Sequence, residues 1–181
     1  MIHRVLILSI FAVTSVLLII SSTSQSIAQS STTGKVTGYP VPRFVTLKSE
    51  TVNMRVGPGT EFPIEWTYKK KGLPVEIIQE FDLWRKIRDA EGAEGWVSHT
   101  LLSGRRNAIV NPGEEDKVKG LIDLKSSPEN SAETVARMEP GVVVVLKSCD
   151  LEWCEVEVND TTGYVAKVSI WGIYPDERYE G

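Results

Sequence analysis

Cysteine, histidine and net positive charge are scarce in this sequence, and each scarcity removes a class of function. The chain has two cysteines and two histidines in 181 residues. Only His99 lies beyond the apolar N-terminal run, so a serine or cysteine nucleophile would have a single imidazole to activate it. His99 follows "GWVS" and reads as a strand-end surface residue. No H-E-x-x-H and no other zinc-ligand cluster occurs. The formal net charge of −4 lacks the basic footprint of a nucleic-acid binder. The glycine-rich stretch "MRVGPGTEFP" (Met54–Pro63) has no G-K-[ST] and no helical period after it, which excludes a phosphate loop. Carboxylates are plentiful but scatter along strand faces such as "CEVEVND". Neither an enzyme nor a cofactor is expected.

What is present suits a folded, exported protein. A hydrophobic fraction of 41% against 24% charged is that of a globular chain. "MIHR" supplies a positive start, and Val5–Ile20 is an apolar run of 16 residues. Ser26 and Ala28 then give the small-x-small pattern of a cleavage site. The run is shorter than the roughly 20 residues of a membrane span. Residues 1–28 are therefore expected to be a cleaved secretory signal, with a retained anchor as the other reading. No cysteine follows the run, so no lipid anchor is expected. The protein is expected to be periplasmic or secreted, off the membrane after cleavage. Residues 29–42 are polar, then proline-rich, and read as a flexible linker.

The rest of the chain repeats itself. "MRVGP" (Met54–Pro58) is echoed by "LKSSP" (Leu124–Pro128) at an offset of 70. Gly72 and Trp84 recur as Gly141 and Trp153 at 69; "GWV" (Gly95–Val97) and Gly104 recur as "GYV" (Gly163–Val165) and Gly172 at 68. Five landmarks in one order indicate a tandem duplication. Each copy reads as all-β. "PVEIIQEF" and "WRKIRDAEG" flank a tight connection at Asp82 and Leu83; "VVVVLKSC" and "WCEVEVND" do so around "DLE". "TVNMRV" alternates Val52, Met54 and Val56 toward one face. "SAETVARM" aligns with "FPIEWTYK", and both are read as extended. Short strands of this number predict a small antiparallel barrel per copy.

Cys149 and Cys154 sit on either side of the second hairpin connection, opposite each other on adjacent strands, and are expected to form a disulfide. A redox pair would use a tighter C-x-x-C, and a metal site would need further ligands. The aligned positions in the first copy are Glu80 and Arg85, where an ion pair is expected to occupy the same cross-strand site.

The segment "VNMRVGPGTEFPIEW…KKGLPVEII…FDLWRKIRDAEGAEGWVSHTLLSG" resembles a bacterial SH3 domain. Asn53, Arg55, Gly57, Pro58, Gly72, Trp84, Gly95, Trp96 and Val97 carry the resemblance. The second copy departs from it: Leu124-Lys125 stands for Met-Arg, Ser127 for Gly57, and Tyr164 for Trp96. The resemblance implies two tandem SH3-like β-barrels, at residues 43–107 and, divergent, 108–175, with a C-terminal tail at 176–181. Members of this family commonly accompany cell-wall hydrolases and are thought to hold them on peptidoglycan. The resemblance thus implies a peptidoglycan or cell-wall peptide ligand for the first copy, with an envelope-protein adaptor as the alternative.

The candidate groove residues are Arg55, Trp66, Tyr68, Trp84 and Trp96. Alternation sets Ile87 toward the core and Trp84 on the opposite face with Lys86 and Arg88. Two readings of these aromatics stand, a stacking platform or packing over the core edge. Arg55 is expected to point toward a neighbouring aromatic ring or a backbone carbonyl, with Thr60–Pro63 as one wall of a groove. Charge differs between the copies. Residues 41–111 hold 11 Lys/Arg against 9 Asp/Glu, and residues 112–181 hold 7 against 15. The opposite signs permit attraction within or between chains. "KKK" (Lys69–Lys71) and Arg105-Arg106 read as solvated turn residues or as contacts for an anionic partner.

Overall fold

The computed structural model describes residues 31–110 and 120–181. The expected signal at 1–28 lies outside the described residues. Two short strands, β1 (Thr32–Thr33) and β2 (Pro40–Val41), pair as a small hairpin. The first domain follows as β3 (Arg43–Leu47), β4 (Val52–Arg55), β5 (Ile64–Tyr68), β6 (Pro74–Phe81), β7 (Trp84–Arg88), β8 (Glu94–Ser98) and β9 (Leu102–Ser103). The second contains β10 (Asn107–Val110), β11 (Ile122–Lys125), β12 (Thr134–Met138), β13 (Val143–Cys149), β14 (Trp153–Val158), β15 (Thr161–Ala166) and β16 (Ile170–Trp171), then β17 (Tyr179–Glu180).

The duplication is visible in the pairing. The first sheet runs β5-β4-β8-β7-β6-β3-β9 and the second β12-β11-β15-β14-β13-β10-β16, the same order advanced by seven strands. Both sheets are antiparallel throughout, and each has its own core. The first is built on Leu47, Val52, Met54, Val75, Ile77, Ile87 and Val97. The second gathers Leu124, Val144, Leu146, Val156 and Val165 around the two cysteines. Period-two alternation makes these faces: Val52 and Met54 point inward while Asn53 and Arg55 do not. Val56, expected to extend that face, is instead 53% exposed. The pairing of β4 with β5 shifts register between Met54 and Arg55, and the strand stops there, so the alternation ends with it.

The expected disulfide is present. Cys149 and Cys154 are cross-strand partners on β13 and β14 and are bonded. Glu80 and Arg85 are cross-strand partners at the matching place on β6 and β7, with Arg85 Nε 3.7 Å from Glu80 Oε1.

Three expectations are corrected. Residues 31–42, read as a flexible linker, form the β1–β2 hairpin, which seats on the first domain through Glu80. The backbone N–H groups of Val36 and Thr37 each donate to Glu80 Oε2 at 3.0 Å, and Thr37 Oγ1 donates to Oε1 at 2.6 Å. The 176–181 tail carries a short strand: β17 pairs with β13 at Ser148–Glu180 and Cys149–Tyr179. Arg106, read as a solvated turn residue, is clamped by Glu177 at 2.6 Å and donates to the Gly172 carbonyl.

The two domains meet through aromatic packing and hydrogen bonds. Phe44 of β3 lies between Trp171 (ring centroids 5.0 Å apart) and Tyr174 (4.7 Å). Tyr174 Oη donates to Glu76 Oε1 at 2.9 Å, and Asn107 Nδ2 donates to the Gly72 carbonyl at 2.8 Å. Burial first, and then the bond to Glu76, push the Tyr174 hydroxyl above its ordinary pKa.

Candidate functional site

The outer face of the first sheet is assembled from register. Arg55 on β4 lies opposite Trp96 on β8, Trp96 opposite Lys86 on β7, and Lys86 opposite Gln79 on β6. Phe81, Trp84 and Ser98 form the adjoining row. Facing cross-strand residues lie on one side of a sheet, so Arg55, Trp84 and Trp96 share a surface. Trp84 and Trp96 are half-buried. Phe81 meets Trp96 edge-on, with centroids 6.4 Å apart. Phe81 and Leu83 are themselves more than half exposed. The result is an apolar shelf of Phe81, Trp84 and Trp96 beside Arg55.

Arg55 is aimed at a carbonyl. Its guanidinium donates to the Phe62 carbonyl at 2.6 Å, across the Gly57-Pro58-Gly59 turn. That bond ties the Thr60–Pro63 loop down as a wall at one end of the shelf. The remaining charges on the face are mutually engaged. Lys86 and Arg88 contact Glu94 at 2.8 and 2.9 Å, and Arg88 also reaches Glu76 at 3.2 Å. Hydrogen bonds from Lys86 and Arg88 hold the Glu94 carboxyl below its ordinary range. The shelf therefore presents aromatic carbon inside a neutralised rim, a surface fit for stacking on the apolar faces of a sugar or peptide.

Trp66 and Tyr68 stand apart from this group. They pair with Met54 and Val52, on the core side of β4. Tyr68 is buried, and its hydroxyl donates to Asp89 Oδ2 at 2.9 Å. Burial, and next that bond, push its pKa above the ordinary value. Trp66, on the edge strand β5, is 58% exposed and lines a cavity of about 580 Å³ with Tyr68, Leu73 and Ala93. The five candidate residues thus divide between two places.

Phe81 was not among the sequence candidates. Alternation counted from Ile77 sends Phe81 inward, but the β6–β7 pairing shifts register between Ile77 and Gln79 and turns it out. In the second domain the face keeps its geometry and changes its chemistry. Lys125 lies opposite Tyr164, and Tyr164 opposite Glu155, which stands where Lys86 does in the first. Lys125 is 3.2 Å from Asp123 and donates to Thr134. His99 is exposed at a short 3-10 turn, and its own N–H donates to the Leu83 carbonyl. Among the described residues, no group of three or more His, Cys, Asp or Glu is placed to hold a metal ion.

The family model described as the bacterial SH3 domain matches residues 48–104 and 121–172. No curated protein matches the chain. Among solved structures, the chain is similar to NlpC2 from Trichomonas vaginalis, at 11% identity and a TM-score of 0.32, over 74% of this chain and 49% of that one. It is similar to NlpC1 from the same organism at 10% identity and a TM-score of 0.31, over 76% and 48%. The chain spans about half the length of those structures. The two family matches fall on the two repeated sheets and together span more than half of the sequence. The chain belongs to the bacterial SH3 domain family and carries two copies in tandem.

Proposed function

We propose that this protein is an exported, non-catalytic binding module that holds a peptidoglycan or cell-wall peptide on the outer face of its first domain. The observation that carries the reading is the shared surface of Arg55, Trp84 and Trp96, extended by Phe81 and framed by the Thr60–Pro63 loop. A stacked ligand gains about 1 kcal/mol per aromatic contact beyond area burial, so two tryptophans suit a weak, reversible grip. The test is co-sedimentation of the purified protein with isolated sacculi at low salt. Retention that falls at least fivefold in Trp84→Ala, with the circular dichroism spectrum unchanged, supports the reading. A wild-type protein that stays in the supernatant refutes it.

A second reading, an envelope protein–protein adaptor, is favoured by the edge of the same sheet. Strand β5 ends the strand order and exposes Ile64 and Trp66. An unpaired edge with apolar side chains is a template for an added strand from a partner. Pull-down dependent on Ile64 and Trp66, without sacculus binding, would favour this reading.

A further inference from the structure

A further cavity lies between the two domains, away from the aromatic shelf. It measures about 860 Å³ and is lined by Lys48, Lys71, Arg105 and Lys147, with Asn107 and Tyr179. No Asp or Glu side chain lines it, and Gly181, the last residue, contributes main chain to its wall. The backbone brings these cations together from distant parts of the chain. Gly72 N–H donates to the Leu47 carbonyl at 2.9 Å, which sets Lys71 beside Lys48. Thr46 Oγ1 donates to the Arg105 carbonyl at 2.7 Å, which fixes Arg105 on the same side. Asn107 Nδ2, donating to the Gly72 carbonyl, secures the second domain against this wall.

The charges differ in their availability. Lys147 pairs with Glu157, and Arg106, which also lines the cavity, pairs with Glu177. Lys48, Lys71 and Arg105 have no carboxylate within ion-pair distance among the described residues, and all three are exposed. Three unpaired cations therefore face one cleft in a chain of net charge −4. A recess whose charged side chains are mainly of one sign concentrates the field and draws in the opposite ion. The volume is that of a small-molecule site, about 300–1,000 Å³. Lysine offers point charges, and arginine a planar fork suited to an oxyanion.

We propose that this interdomain cleft binds a multivalent oxyanion, a polycarboxylate or polyphosphate group, held by Lys48, Lys71 and Arg105. The proposal stands independently of ligand binding at the aromatic shelf. The test is calorimetric titration of the protein with citrate and with tripolyphosphate, at 20 and 200 mM salt. At least one anion binds with a sub-millimolar Kd at low salt and tenfold or more weaker at high salt. The tighter of the two identifies the chemical source. Substituting Lys48, Lys71 and Arg105 together by Ala weakens binding tenfold or more. Substituting Lys35, Lys69 and Arg178, also three exposed cations, changes it less than twofold, as does Trp84→Ala. Binding of neither anion at low salt overturns the proposal. So does equal loss in the two triple variants, which would make the attraction a diffuse effect of net charge.

Discussion

Replacing Glu80 by Gln tests how the first domain is held at the place where the second has its disulfide. The Glu80 side chain is only 1% exposed. Its Oε1 accepts from Thr37 Oγ1 and from Arg43, at 2.8 Å, and Oε2 accepts from the N–H groups of Val36 and Thr37. Every partner is a donor. A glutamine would offer one oxygen and turn its NH2 against donors whichever way it flips. Burial alone would raise the Glu80 carboxyl, but the bonds from Thr37, Arg43 and Val36 outweigh it and hold the pKa at about 2 instead of 4.5. At about 1.4 kcal/mol for each tenfold change, that depression stabilises the folded chain by about 3 kcal/mol at neutral pH. The contribution is complete above 4.5, the unfolded value, and is lost as pH falls toward 2. Glu80→Gln is therefore expected to cost about 3 kcal/mol at pH 7, or about 12–24 °C in Tm for a domain of this size. Urea unfolding at pH 7, 4.5, 3 and 2 measures it. The gap between wild type and variant should hold from pH 7 to about 4.5 and shrink below that. Amide exchange at Val36 and Thr37 should accelerate in the variant. A cost under 0.5 kcal/mol, or a gap unchanged between pH 7 and 2, would refute the reasoning.

Two further perturbations address the fold. Changing Cys149 and Cys154 together to Ala removes a bond with a sequence separation of 5 inside the second core. Loop-closure entropy for so short a loop sets the loss at about 2 kcal/mol. Because the first core is a separate cluster, amide exchange should rise in residues 120–181 and stay unchanged at Val52, Ile87 and Val97. Gly95→Ala places a Cβ 2.5 Å from Met54 Cγ and 3.0 Å from the Arg55 carbonyl. Backbone cannot yield there as a side-chain tip would, so the substitution should cost about 1–3 kcal/mol in thermal unfolding. Gly163→Ala should behave alike, since its Cβ would lie 2.8 Å from the Lys125 carbonyl.

The sequence by itself determined the all-β class, the duplication, the hairpins, the family and the cysteine pairing. Those properties rest on local period-two patterning and on landmarks repeated at a nearly constant offset, both of which survive without knowledge of which strands touch. The Glu80–Arg85 pairing was legible for the same reason, through its alignment with Cys149 and Cys154. The tertiary structure alone decided what depends on register and on partners distant in sequence. A one-residue slip at a bulge flips a side chain to the other face, and that is how Phe81 joins the outer shelf. Arg55, Trp84 and Trp96 share a surface because β4, β7 and β8 are neighbours, while Trp66 and Tyr68 fall on the core side of β4. The hairpin at 31–41 looked unstructured because its anchor, Glu80, lies more than forty residues away. The interdomain cleft draws on Lys48, Lys71, Arg105 and Lys147, which no local pattern connects; the folded backbone places them around one space.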